Sequence, residues 1–429
     1  MSERPSGPAT GAEPPRSREL GRRVPWLAGV LVAAALVVVI VTTTPWHLID
    51  LPKPDPALDF TTAEIDRQQR FRAELLPWST ASWIVSLLVP LVIGFSPLGR
   101  RMYDALPLRR WYLAVPVLVA GLVLLTSVLT APFDVMAERV TRDYGLSTES
   151  WGLWLRDRAV NWALTSLALI AIAVGLIALA KRWRTWWWVP ASIAAAVLVL
   201  GVSFAYPVLV EPRFNDFTSL APGPQRDEFL QMAREDGVPV KDVLVADASK
   251  RTTALNAYVS GFGSTRRLVI YDTLLNGASP AQVKLVVAHE LGHAAEGDVL
   301  HGTAIGALGA AFAVILLRLL LGAKVADPRR TALLLALIVL GTTLAAPVQN
   351  LISRKIEARA DYHSLRLTDD PRTFVEMQHA LSVRNISGLD PARWRYWMFA
   401  SHPTPPERIA MGRAWGDEHG DPVPPLVQR

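Results

Sequence analysis

Residues 286–321 read "VVAHELGHAAEGDVLHGTAIGALGAAFAVILLRLLL". The first part is polar and carries two histidines four residues apart. The second part, from Gly302, is apolar for long enough to cross a bilayer. A motif of metal-binding spacing therefore ends nine residues before a membrane span begins. The chemistry is expected at the lip of the membrane, on the helix that leads into it.

The rest of the 429-residue chain agrees with a membrane setting. Hydrophobic residues make up 51% and charged residues only 19%. There is no cysteine. Disulfides and thiolate metal sites are excluded, so a metal must be held by His, Asp or Glu. Arginine far outnumbers lysine, which fits a GC-rich genome better than a nucleic-acid partner, and no nucleic acid is expected.

Residues 1–25 are rich in Pro, Gly, Ser and Arg and read as a disordered tail. Seven stretches then reach roughly the 17–25 residues that a spanning helix requires. They lie near 26–44, 79–97, 112–131, 163–180, 187–206, 302–322 and 331–348. The first is expected to be a retained anchor. Residues 26–206 thus form a five-span region, and residues 207–429 a second region that includes spans six and seven. Basic clusters recur in alternate loops: Arg16 to Arg23, Arg100/Arg101 with Arg109/Arg110, Lys181 to Arg184, and Lys324 with Arg329/Arg330. The positive-inside rule puts these loops and the N-terminus in the cytoplasm, and residues 207–301 on the other face.

The long insert 207–301 mixes helix and strand patterns. "GPQRDEFLQMAREDG" reads as a helix stopped at Gly237, and "VKDVLVAD" as a strand. "LNAYVSGFGSTRRLVIYDTLL" reads as two strands around a glycine-rich turn. Ser279 as N-cap and Pro280 in the first turn start the helix that carries the histidines.

On that helix His289 and His293 share a face and can offer two nitrogens to one zinc ion. Glu290 is turned about 100° away, better placed to hold a water than to bind metal. A third ligand six residues after His293 is absent, since Val299 stands there. Height above the membrane points to Glu357, nine residues beyond the seventh span, as His293 is nine before the sixth. Each would stand roughly 13 Å above the same face if the two spans continue as helices. The short link "GAKVADPRR" is expected to make those spans antiparallel neighbours, with Pro347 as the point where the geometry can fail. Asp361, one turn after Glu357, is expected to accept the outer N–H of a ligating histidine. Glu296, Asp298 and His301 are alternatives that read better as polar surface or membrane boundary. Arg354, Lys355 and Arg359 read as solvated charges if that helix is an ordinary one. Arg408 reads as half of an internal ion pair.

Several stretches resemble the type I CAAX prenyl endopeptidases: "ERVTRDYGLSTESWGLWLRDRAVN", "EPRFNDFTSL", "ASKRTTALNAYVSGFGSTRRLVIYDTLL", "HELGH", "SRKIEARAD" and "SHPTPPERI". The resemblance implies a mainly α fold: a seven-span transmembrane helical bundle enclosing a chamber, with a small α+β zinc-protease domain between spans five and six. It implies one zinc per chain at His289, His293 and Glu357, and Glu290 as general base. It also implies His402 near the scissile carbonyl and a substrate-holding role for Asn256, Ala257 and Tyr258. In physical terms His402 would donate to the oxyanion, and the "NAY" stretch would present a strand edge. Eukaryotic members open their chamber to the cytosol, so the charge pattern here puts the site on the opposite side. The expected partners are the bilayer and a peptide or membrane-protein substrate. Two other readings stay open at this point. One is a heat-shock-type quality-control metalloprotease. The other is a non-catalytic scaffold or transporter with a structural zinc.

Overall fold

The computed structural model describes residues 15–47, 54–261 and 266–427, with first-helix side chains from Arg23 onward. The membrane region opens with α1 (Pro15–Thr43), α2 (Thr62–Phe95) and the short α3 (Leu98–Asp104). It continues with α4 (Trp111–Asp143), α5 (Trp151–Arg182) and α6 (Trp188–Leu209). Next come β1 (Phe217–Ser219), α7 (Pro224–Glu235), β2 (Val243–Ala246), β3 (Ala257–Ser260) and β4 (Arg267–Tyr271). Then follow α8 (Asp272–Gly277), α9 (Pro280–Ala295), α10 (Asp298–Leu321) and α11 (Thr331–Thr368). The chain closes with α12 (Pro371–Arg384), α13 (Arg393–Phe399) and α14 (Pro405–His419).

Among the described residues, seven helices are long and apolar enough to span a membrane: α1, α2, α4, α5, α6, α10 and α11. They coincide with the seven expected stretches, but most are longer. The first begins at Pro15, so residues 15–25, expected as tail, are helix; residues 1–14 lie outside the described residues. "RSRELGRR" consists mainly of good helix formers, which extends the helix below the apolar run.

One core joins six of these helices, and it draws on one end of each. Ile93 of α2, Val115 to Leu122 of α4 and Ala173 to Ala180 of α5 meet there. So do Trp187 to Ala191 at the start of α6, Val314 to Leu317 of α10 and Ala332 to Leu335 of α11. All of these lie at the membrane face with the basic loops. Only 6% of the apolar window of α2 and of α6 is buried. Helices this apolar need lipid on their outer faces.

The spans six and seven are not the neighbours that the short link suggested. α10 packs on α1 and α6, whereas α11 packs on α2 and α9. Two 3-10 turns, Gly322–Ala326 and Pro328–Arg330, carry the chain sideways between them. α11 is drawn to α2 by small residues. A Cβ added at Gly94 would lie 2.4 Å from that of Ala336, and at Gly99, in the adjoining α3, one would lie 2.5 Å from that of Ala332. α11 runs on through Pro347 as one helix to Thr368, well beyond the apolar segment.

The insert forms a four-stranded sheet of order β1-β2-β4-β3, parallel between β2 and β4 and antiparallel elsewhere. β1 was not expected from the sequence; it is three residues long. One sheet face (Val243, Ala257, Leu268, Ile270) packs on α7 and α9. The same core takes in Leu365 of α11, Phe374 of α12 and Trp415 of α14. The α+β unit is therefore completed by the end of the seventh span and by the chain after it.

Candidate metal centre

α9 begins where its sequence says it should. Ser279 and Gln282 form a reciprocal capping box, with Pro280 in the first turn. This fixes the helix phase that aims His289 and His293 at one point. Gly292 lies between them on the side facing α11. A Cβ there would come 2.9 Å from the Cβ of His363, so glycine permits close approach of the two helices. That approach brings Glu357 in.

The result is a cluster of three groups. One ligand atom each from His289, His293 and Glu357 all lie within 4.8 Å of one another. The two imidazole Nε2 atoms are 3.2 Å apart. Glu357 approaches His289 Nε2 at 3.3 Å and His293 Nε2 at 3.6 Å. Each histidine is braced from behind. His289 Nδ1 donates to Asp361 Oδ1 at 2.9 Å, and His293 Nδ1 donates to Asp298 Oδ2 at 2.9 Å. With Nδ1–H donating to a carboxylate, each Nε2 presents a bare lone pair. Two lone pairs and a carboxylate facing one another repel unless a cation lies between them. The donor set therefore fits a divalent metal.

Each brace is itself paired with an arginine. Arg408 Nε donates to Asp361 Oδ2 at 2.7 Å, the internal ion pair expected for it. Arg359 pairs with Asp298, and its other nitrogen reaches Glu296 at 3.3 Å. Asp298, read from sequence as surface or membrane boundary, is 9% exposed and holds His293 in place. Its spacing, five residues after His293 and at a helix start, was the signal that could have found it.

Glu290 lies beside the two imidazoles, on the helix that packs against the edge strand β3. Burial raises its carboxyl above the ordinary range, while the neighbouring imidazoles pull it down. His402 reaches the cluster from the loop after α13, with Nε2 3.3 Å from Glu357 Oε2 and Nδ1 2.9 Å from Ser401 Oγ. Its side chain is 56% exposed, and partial desolvation by the cleft lowers the basicity of its ring. Arg354 sets that loop: it is buried, not solvated, and donates to the carbonyls of Tyr396 and Ala400. Asn350 adds a hydrogen bond to the Met398 carbonyl at 2.6 Å.

The "NAY" residues divide. β3 is an edge strand, paired with β4 alone among the described strands. The Tyr271 N–H donates to the Asn256 carbonyl, so alternation turns the backbone of Ala257 and Val259 to the open edge. Asn256 lines a cleft of about 560 Å³ that also contains His402. The Ala257 side chain is buried under the sheet. The Tyr258 side chain points to the far face and donates to Glu211 at 3.2 Å.

Comparison with known proteins agrees with this geometry. Residues 225–415 match peptidase family M48, and residues 59–216 match the CAAX prenyl protease N-terminal region of five membrane helices. A Bacillus subtilis protein named uncharacterized metalloprotease YhfN is 29% identical, over 75% of this chain and 78% of its own. A rice CAAX prenyl protease 1 homolog is 26% identical, over 68% and 71%. The crystal structure of S. mikatae Ste24p superposes with a TM-score of 0.72 at 20% identity, covering 90% of this chain and 98% of that one. The two matched regions lie end to end across most of the sequence, in the order that the spans and the metal cluster require. The chain thus belongs to peptidase family M48, with the N-terminal region of the CAAX prenyl proteases, and is a membrane metalloendopeptidase.

Proposed function

We propose that His289, His293 and Glu357 hold one zinc ion, and that Glu290 is the general base of peptide hydrolysis beside it. The convergence of the three donors carries this reading. A tetrahedral zinc at about 2.0–2.1 Å from two nitrogens sets them roughly 3.3 Å apart, and the two Nε2 atoms are 3.2 Å apart. When bound, the ion supplies Lewis acidity to the scissile carbonyl and to water. Glu290 takes the proton of the attacking water and returns it to the departing amine. The Nε2–H of His402 donates to the carbonyl oxygen as negative charge develops there. Asp361 and Asp298 fix the tautomers and ring planes of the two histidines.

The substrate lies extended along the open edge of β3, against the backbone of Ala257 and Val259. It reaches that edge from the cleft shared by Asn256 and His402. Four basic loop segments support a cytoplasmic N-terminus and an extracytoplasmic centre. A topology reporter fused after residue 429 is expected to read as external, and one in the loop "KRWRTWWW" as cytoplasmic. The reverse pattern would overturn the orientation. For the hydrolysis itself, purified Glu290→Gln should keep its zinc and lose peptide cleavage; cleavage at the wild-type rate would remove Glu290 from the role. A peptide panel with and without a lipid-modified cysteine reads out whether a lipid contributes to selection.

A further inference from the structure

Among the described residues, the cleft that leads to His402 is lined by three guanidinium groups, Arg72, Arg395 and Arg408, and by no carboxylate. Arg408 is committed to Asp361. Among the described residues, no carboxylate pairs with the other two in this way. The charged group acting on Arg72 is Arg395, a like charge. Both side chains are half-buried. Two cations side by side at a partly desolvated wall repel, and they are stabilised by an anion placed between them.

Both groups are held in position. Arg395 donates to Thr80 Oγ1 at 2.9 Å and lies over the rings of Trp394 and Phe399, at 5.1 and 5.3 Å. One contact to Thr80 leaves most of its five N–H donors for a ligand. Arg72 rests in a notch made by Gly388: a Cβ at that position would lie 2.2 Å from its Nη1. Any side chain at Gly388 would push the guanidinium out of place.

We propose that Arg72 and Arg395 form a subsite for a carboxylate carried by the peptide substrate. This rests on the peptidase reading of the metal centre and adds a selection rule to it. The planar forks of two arginines match a carboxylate bidentately, and a peptide supplies one either at its C-terminus or on an Asp or Glu side chain.

The test uses three versions of one labelled peptide: a free C-terminal carboxylate, its amide, and the amide with one Asp introduced. Cleavage is measured with the full-length enzyme, and binding with Glu290→Gln. The acid or the Asp peptide should exceed the plain amide about 10- to 100-fold in kcat/KM and in affinity. Whichever exceeds it identifies the source of the carboxylate. In Arg72→Gln/Arg395→Gln the ratio should collapse to within about threefold of one, and in Arg72→Glu/Arg395→Glu a Lys-bearing amide should become preferred. Gly388→Ala, which leaves both charges present, should lower the ratio in the same direction. Equal handling of all three peptides by the unaltered cleft, or a ratio that survives the double Gln variant, would overturn the subsite. Charge-selective binding by Glu290→Gln without any cleavage by the wild type would keep the subsite and remove the peptidase reading.

Discussion

Asp298→Asn isolates the brace on one histidine without dismantling the fold. The substitution keeps the size of the side chain and an oxygen acceptor, but removes the charge that holds the His293 Nδ1–H at 2.9 Å. Loss of such a carboxylate partner typically costs 10- to 100-fold in metal affinity, or about 1.4–2.7 kcal/mol. The cost to folding should be smaller. Arg359 loses Asp298 but keeps Glu296 at 3.3 Å, and its side chain is 17% exposed. Asp361 offers the contrast. It is fully buried and holds both His289 and Arg408. Neutralising it leaves a buried guanidinium uncompensated, at about 3–5 kcal/mol. The two variants should therefore separate. In chelator competition, Asp298→Asn should release zinc at a ~10- to 100-fold lower chelator strength while its metal-free unfolding midpoint stays near wild type. Asp361→Asn should lose the metal-free midpoint first. If Asp298→Asn holds zinc as tightly as the wild type, His293 does not depend on its brace, and the pairing of each ligand with a carboxylate and an arginine is packing alone.

Three further variants test the centre. Glu357→Ala should purify with little bound zinc, because two imidazoles alone do not complete a tetrahedral site; wild-type metal content would exclude Glu357 as a ligand. Glu290→Gln should lower kcat about 10²- to 10⁴-fold, as loss of a general base does, with metal content unchanged by elemental analysis. Gly292→Ala places a methyl 2.9 Å from His363 Cβ; prying α9 from α11 should cost about 1–3 kcal/mol of stability and weaken zinc retention, which thermal unfolding with and without chelator would register together.

The spans and the metal helix were legible because they follow one-dimensional rules. Apolar length marks a bilayer crossing, and a four-residue spacing puts two histidines on one face. Ser279 and Pro280 marked the helix start for the same reason. Glu357 was placed near His293 from its height above the span together with an assumed pairing of spans six and seven, and that packing was wrong. α11 reaches His293 through α9 and not through α10. α9 ends at Ala295 and Gly297 turns the chain before α10 begins, so the residue count does not run along one helix; Glu357 meets His293 because α11 packs on α9. What stayed hidden depends on three-dimensional neighbours. Asp298 reads as a boundary residue until α11 supplies Arg359 beside it. Arg354 reads as a solvated charge until the α13 carbonyls close over it. Tyr258 reads as a substrate contact until the β3–β4 register turns it to the far face of the sheet.

The centre stands where the two cores of the protein meet, and this sets what the metal can report. α10 and α11 have their buried ends in the membrane core near Val314 and Leu334, while their other ends supply Asp298 and Glu357. α9 and α14 belong to the second core and supply His289, His293 and Arg408. Arg359 also reaches the Thr43 carbonyl at the end of α1, at 3.5 Å. None of His289, His293 and Glu357 can shift without disturbing an element that spans the membrane or one that packs under the sheet. A metal that binds this arrangement and not its unfolded parts stabilises the docking of the two cores by mass action. Chelation should then loosen the contact between α9 and α11 before it unfolds either core. Hydrogen exchange in 289–297 and 353–364 should rise ahead of exchange in β2 and β4. Simultaneous loss of protection in all four segments would mean that the sheet and the centre unfold as one unit.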